Sequence, residues 1–169
     1  TMFTALINHP DTPSHSLHSL KFCGSGGAPL PVEVAERFTA ITGAYPAEGW
    51  GMTETSPTGT FTPGQPGAMR KIGSCGLPSP GIIIKFLNVE DATSYVPLGE
   101  RGELCIKGPN VMKGYWNKPD ATAETMTADG FLRTGDVGYM DEHGFVYIVH
   151  RTKELLLVSG CNVYLRVPE

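Results

Sequence analysis

The chain has 169 residues, a length that suits one domain or parts of two. Lys and Arg number 13 against 17 for Asp and Glu, so the formal charge of −4 gives no support for a protein that binds nucleic acid or an anionic membrane surface. Hydrophobic residues make up 40% and charged residues 18%, which excludes a disordered chain, and no apolar run reaches the ~20 residues of a transmembrane helix.

The first third of the chain predicts an α/β layer. Residues 20–23 predict a short strand that runs into the glycine-rich loop 24–29. A helix follows, with Pro31 in its first turn and Gly43 at its end. Residues 44–50 predict a second strand, which also ends in a glycine-containing loop. Open α/β sheets bind ligands in loops of this kind.

The rest of the chain predicts a β-rich subdomain. A Pro- and Gly-rich connector over 61–81 precedes short strand-like segments separated by turn signals, with one helix at 118–126. Close spacing of short strands favours a small barrel or sandwich. The predicted fold class is therefore α/β, with the end of an αβ-layered sheet domain followed by a small β-barrel subdomain. Its strands are predicted at 82–87, 102–107, 131–134, 137–140 and 145–149.

The segment EGWGMTETS carries the strongest local signal for chemistry. Gly49 and Gly51 allow a ligand to lie against the backbone, and Trp50 between them offers a flat face to a heterocycle. Thr53 offers a hydroxyl to a phosphate oxygen, and Glu54 is a hard oxygen ligand of the kind Mg²⁺ takes. On these residues alone, a glycine-rich turn around a buried Trp is an equally good interpretation.

Two later segments add weaker signals. Asp136 follows a glycine at the end of a strand, where an acidic residue can accept both hydroxyls of a ribose, although an ordinary turn Asp is the commoner case. The charged segment 151–154 is compatible with a solvent-facing strand edge. Met112, Tyr115 and Trp116 are predicted to be packing residues of the barrel.

In chain order, these segments resemble the adenylate-forming superfamily of acyl-CoA synthetases, luciferases and peptide-synthetase adenylation domains. The resemblance covers nearly the whole chain, and several motifs in order are far more specific than one alone. The segment SGCNVY at 159–164 is most similar to the fatty-acid–CoA ligases. The other matching motifs are SGGAPL at 25–30, GWGMTE at 49–54, GSCGLP at 73–78, GEL at 102–104, KGYW at 113–116, TGD at 134–136 and RTKE at 151–154.

The resemblance implies a site that binds ATP or AMP. In it, Trp50 is expected to stack on adenine, Thr53 to contact phosphate, and Asp136 to hold the ribose hydroxyls with help from Arg151. The implied nucleotide-binding residues are Gly27, Ala28, Pro29, Glu48, Gly49, Trp50, Gly51, Thr53, Asp136 and Arg151.

The resemblance also assigns roles outside the nucleotide pocket. Glu54 is expected to hold Mg²⁺, and Lys153 to lie at the hinge of a rotating C-terminal lid. Gly160 is expected to line the tunnel through which coenzyme A enters. Thr53, Glu54 and Lys153 are the implied catalytic residues.

The implied function is that of an acid–CoA ligase, which activates a carboxylic acid, expected to be a fatty acid, with ATP and transfers the acyl group to coenzyme A. The alternatives are a non-catalytic nucleotide- or acyl-adenylate-binding module and an adenylation domain for an amino or aryl acid. The expected partners are therefore small molecules rather than nucleic acid. The expected location is the cytoplasm, with peripheral membrane association where the acid is a long fatty acid.

The resemblance further implies that the chain is a fragment. Residues 1–72 are expected to form an α/β subdomain, 73–150 a barrel subdomain, and 151–169 the hinge and the start of a lid. The family's lysine-bearing phosphate loop and the lysine of its lid have no counterpart here, so the isolated chain is expected to have little ligase activity.

Overall fold

The computed structural model describes residues 2–65, 67–151, 155–158 and 161–164. Its first sheet has four strands in chain order, and β1 runs parallel to β2 while the next two pairs are antiparallel. The parallel pair places the carboxyl ends of two strands at one edge. The strands of the first sheet are β1 (Cys23–Ser25), β2 (Pro46–Trp50), β3 (Thr60–Phe61) and β4 (Leu77–Pro78).

Two helices belong to this layer. Helix α1 (Met2–Asn8) packs on α2 (Val32–Thr42), and the rings of Phe3 and Phe38 meet edge to face at 4.8 Å. Helix α2 is the crossover that a parallel strand pair requires, and it ends at Gly43 in the left-handed conformation, as the sequence predicts.

The second sheet is an antiparallel meander of four strands in chain order. A short helix, α3 (Pro119–Glu124), lies between its second and third strands. A separate hairpin is formed by β9 (Leu155–Val158) and β10 (Cys161–Tyr164). The strands of the second sheet are β5 (Ile83–Leu87), β6 (Gly102–Lys107), β7 (Leu132–Met140) and β8 (Val146–Arg151).

The two sheets meet through the residues that lead into β4. Cys75 N–H donates to Val146 O at 3.0 Å, and Val146 N–H donates to Gly76 O at 2.9 Å, so this segment pairs with the first residue of β8. Trp50 and Met52 from the first layer pack against the core of the second. That core consists of Phe86, Leu104, Ile106, Leu132 and Val146.

The α/β layer followed by a β-rich part is confirmed, with several differences in detail. Over the described residues the second sheet is open, because its end strands β5 and β8 do not pair with each other, whereas the sequence predicts a small barrel. The two strands predicted at 131–134 and 137–140 are one strand, β7. Helix α1 and the short strands β3 and β4 are not predicted by the sequence. Within the described ranges, no helix is long and apolar enough to cross a membrane.

Candidate functional site

The predicted adenine-pocket loop leaves the sheet beside the strand that carries Glu48. Ser25 of β1 lies opposite Glu48 of β2, so both following loops start at the same edge of the first sheet. Glu48 Oε2 accepts a hydrogen bond from the Leu30 N–H at 3.1 Å, which ties the loop to β2. The pKa of Glu48 is raised by burial, against the effect of this N–H. The loop itself, Gly27, Ala28 and Pro29, stays exposed.

The centre of the site is the carboxylate of Asp136, which is 2% exposed. Its Oδ2 accepts a hydrogen bond from Trp50 Nε1 at 2.8 Å, and its Oδ1 accepts one from Arg151 Nε at 2.7 Å. Trp50 ends β2 and Asp136 lies in β7, so the contact joins residues 86 positions apart in the chain. Two charge-assisted bonds fix the plane of the carboxylate and leave its remaining lone pairs for hydroxyl donors.

Trp50 is held on several sides. The indole packs against the core of the second sheet, and a Cβ at Gly59 would lie 2.4 Å from the ring, so the backbone of Gly59 lies directly against it. Cys75 packs against the same core; burial raises the pKa of its thiol to about 11, and the charges of Glu48 and Asp136 act in the same direction. Beyond the stacking face that the sequence predicts, Trp50 therefore supplies a hydrogen-bond donor to Asp136.

Replacing Trp50 with Phe is expected to lower the free energy of unfolding by about 1–3 kcal/mol, because a hydrogen bond to a buried charged group is lost while most of the ring remains. Urea unfolding of the protein measures the effect. Trp116→Phe is the matched control, since Trp116 is 89% exposed and its replacement should change stability by less than about 0.5 kcal/mol. Equal unfolding midpoints for the two variants would contradict the assigned contact.

The loop after β2 carries Thr53 and Glu54 in a single 3-10 turn, Thr53–Thr55. Thr53 is exposed and Glu54 is half-buried. Asn110, which follows β6, fixes the loop by donating through Nδ2 to the carbonyl oxygens of Thr55 at 2.6 Å and Thr58 at 2.5 Å. The second sheet thus holds the loop in which the sequence predicts the phosphate and metal contacts.

The structure gives Gly51 a further role beside the one inferred from sequence. The sequence suggests that this glycine lets a ligand approach the backbone. In the structure, a Cβ at Gly51 would lie 1.5 Å from the carbonyl oxygen of Pro57. The glycine is therefore required for the loop to fold back on itself, and Thr53 and Glu54 lie in the turn between Gly51 and Pro57.

Tyr115, which the sequence assigns to packing, contacts the candidate site residue Glu54. Its hydroxyl donates to Glu54 Oε1 at 2.8 Å, and this bond is the main reason that its pKa is raised. Tyr115 is 37% exposed and Trp116 is 89% exposed, so of the three predicted packing residues only Met112 packs against the core. Tyr115 belongs to the KGYW motif at 113–116, which is one of the motifs that match the family. That match is the sequence signal that could have marked Tyr115 as a partner of a site residue.

The residues present fit a magnesium ion held mainly by its nucleotide. Over the described residues there is no group of three His, Cys, Asp or Glu side chains that could form a complete metal site. Mg²⁺ usually takes one or two carboxylates together with phosphate oxygens and water. Glu54, with one oxygen bonded to Tyr115, supplies a carboxylate in the loop that also carries Thr53.

Two predicted site residues, Lys153 and Gly160, lie outside the described residues. Arg151, the last residue of β8, pairs in register with Asp136 of β7, so the predicted ribose contact and its assisting arginine lie side by side. The structure thus brings Trp50, Asp136 and Arg151 into direct contact, and it links Glu48 to the glycine-rich loop.

Known proteins resemble this chain in sequence and in fold. The chain is 43% identical to a long-chain-fatty-acid–CoA ligase of Bacillus subtilis over an alignment of 171 residues that covers 100% of this chain and 30% of the relative. It is 39% identical to a feruloyl-CoA synthase of Amycolatopsis over 97% of its length and 32% of the relative. The ATP-bound structure of MatB from Rhodopseudomonas palustris superimposes with a TM-score of 0.86 at 35% identity, covering 96% of this chain and 31% of that one.

The family comparison agrees with these relatives. Residues 1–116 match the family described as AMP-binding enzyme. The chain spans about 30% of the length of the curated relatives it matches. Because the match covers most of the chain and its fold agrees with an ATP-bound structure, the chain belongs to the AMP-binding enzyme family.

Proposed function

We propose that this chain supplies the ribose- and phosphate-binding part of an ATP-dependent acid–CoA ligase, with a long-chain fatty acid as its substrate. The observation that carries the proposal is the contact of Trp50 and Arg151 with the buried carboxylate of Asp136, which presents a fixed acceptor beside two loops at one sheet edge. Membership of the AMP-binding enzyme family and the likeness to fatty-acid–CoA ligases support it.

The reaction begins with ATP in this site. Asp136 accepts hydrogen bonds from the ribose hydroxyls, Trp50 lies against adenine beside the loop of Gly27 to Pro29, and Thr53 donates its hydroxyl to a phosphate oxygen. A carboxylate oxygen of the acid then attacks the α-phosphorus, forming a new P–O bond as the bond to pyrophosphate breaks. Fixed donors near the phosphate favour this step because negative charge builds up there.

The second half-reaction transfers the acyl group. A free carboxylate is a poor electrophile, whereas AMP is a good leaving group from the acyl-adenylate. The thiolate of coenzyme A attacks the acyl carbonyl, the thioester forms, and AMP departs.

Mg²⁺ would neutralise phosphate charge when it is bound, and Glu54 is the residue that would hold it. Gly160 is proposed to leave room for the thiol, and Lys153 to act at the hinge.

The test measures acyl-adenylate formation by the full-length protein that carries these residues. Thr53→Ala is expected to lower the rate about 100-fold or more, because one fixed donor to the reacting phosphate is lost. Thr93→Ala is the matched control, since Thr93 is an exposed threonine in the turn that follows β5. An unchanged rate in Thr53→Ala would remove Thr53 from the proposal. No ATP-dependent thioester with any acid would overturn the function itself.

An aryl acid is the second candidate substrate, because a feruloyl-CoA synthase is 39% identical to this chain. A panel of acids from short to long fatty acids, together with ferulate and amino acids, separates the candidates. The fatty-acid proposal expects the highest kcat/KM with long chains. Preference for ferulate would assign the aryl class instead, and release of an adenylate that coenzyme A does not consume would favour an adenylation domain.

A further inference from the structure

Glu103 is a buried carboxylate of β6 to which the proposed reaction gives no role. The residue is 6% exposed. Its Oε2 accepts hydrogen bonds from Arg133 Nε at 3.0 Å and Arg133 Nη2 at 2.7 Å. Its Oε1 accepts one from the Gly135 N–H at 3.1 Å. Both partners lie within the three residues before Asp136, so this carboxylate is bonded to the segment that carries the proposed ribose acceptor.

These contacts lie at a bulge in β7. Glu103 lies opposite Val137, whereas Cys105 lies opposite Arg133, so the register shifts between the two pairs. Three residues of β7 face one residue of β6 at this point, and Gly135 adopts a φ of 75°, which favours glycine. The Gly135 N–H bonds to the Glu103 side chain in the bulge.

Thr134 closes the other side of the same bulge. Its hydroxyl donates to Leu104 O at 2.8 Å and accepts a hydrogen bond from the Asp136 N–H at 3.1 Å. Each of the three residues before Asp136 is therefore fixed to β6 by a side-chain hydrogen bond. A bulge held in this way sets the direction of the next side chain, and that side chain is the carboxylate bonded to Trp50 and Arg151.

We propose that Glu103 is a positioning residue for ribose recognition: by holding the bulge at Arg133 and Gly135, it fixes Asp136 where the ribose hydroxyls meet it. The inference rests on the proposed function, because it takes Asp136 as the ribose acceptor. Glu103 does not touch the nucleotide itself. Its loss therefore weakens only the part of nucleotide binding that depends on the ribose hydroxyls.

The experiment compares ATP with 2′,3′-dideoxy-ATP, which lacks both hydroxyls, as ligands of the full-length protein in a direct binding assay. The unmodified protein is expected to bind ATP more tightly, and Glu103→Gln to reduce that preference about tenfold, with little change in dideoxy-ATP affinity. Glu100→Gln, which changes an exposed carboxylate three positions earlier, is the matched control. If Glu103→Gln fails to fold, Thr134→Val tests the same bulge and should show the same selective loss.

The outcomes distinguish a failure of the Glu103 inference from a failure of the proposed function. Equal weakening of ATP and dideoxy-ATP would show that Glu103 only supports the fold, and an unchanged preference would show that it does not act on Asp136; either result overturns the inference. Asp136→Asn should abolish the preference by itself, and Glu103→Gln should then add little. If the unmodified protein does not prefer ATP, the ribose contact of the proposed function fails, and the inference fails with it.

Discussion

Asp136→Asn is expected to lower kcat/KM for ATP by about 100-fold or more in the full-length protein, because the proposed function assigns the hydrogen bonds of both ribose hydroxyls to this carboxylate. An amide cannot replace it. The two carboxylate oxygens of Asp136 accept hydrogen bonds from Trp50 Nε1 and Arg151 Nε, and the NH₂ group of an Asn would face one of these donors. Initial rates over a range of ATP concentrations measure the effect, and most of the loss should appear in KM.

Asp11→Asn is the control for this substitution. The Asp11 side chain is 72% exposed, and the same change of charge there should leave the ATP dependence unchanged. If Asp136→Asn retained the ATP dependence of the unmodified protein, then Asp136 would be a structural link between the sheets rather than a ligand of the nucleotide. The stability of this variant should fall in either case, because one of the two contacts, to Trp50 or to Arg151, is lost. The ATP dependence therefore decides between the two roles.

The second large effect is expected at Gly51. Gly51→Ala should lower the free energy of unfolding by about 3 kcal/mol or more, because the new Cβ would lie 1.5 Å from the carbonyl oxygen of Pro57 and the backbone must move. The displaced loop carries Thr53 and Glu54, so adenylate formation should fall as well. Urea unfolding and the adenylation assay together measure the two consequences.

Gly26→Ala is the matched control for stability. A Cβ at Gly26 would lie 3.5 Å from Gly49 O, which is an ordinary contact, and this glycine is not among those with positive φ. Its unfolding midpoint should stay close to that of the unmodified protein. A Gly51→Ala variant as stable as Gly26→Ala would mean that the loop closes by another path than the one described.

The sequence predicts a helix or strand well where the residues at its two ends are typical of a start and a stop. Helix α2 is predicted because Pro31 and Gly43 frame it, and both residues lie at its ends in the structure. Strand β7 is predicted as two strands because the glycine at 135 interrupts the pattern. The structure keeps one strand there with a bulge, which depends on Glu103 and Thr134. Side-chain contacts from another strand decide such a case, and no local pattern contains them.

The candidate site, too, can be predicted from the sequence only in part. Residue types in the motifs suffice to propose Trp50, Thr53, Glu54 and Asp136. The resemblance implies that Arg151 assists Asp136, and the structure places the two in contact. The bond from Trp50 to Asp136 and the bond from Tyr115 to Glu54 do not follow from the sequence, because they span 86 and 61 positions. Only packing of the second sheet against the first layer brings these groups together.

These long-range bonds constrain how the protein can recombine with its relatives. Trp50 and Glu54 precede the link between the sheets, residues 79–82 between β4 and β5, whereas their partners Asp136 and Tyr115 follow it. A chimera whose two parental sequences join within residues 79–82 would take one residue of each bonded pair from each parent. Exchange should therefore preserve activity only between parents that carry the same pairs, so the two sheets are inherited as one functional unit.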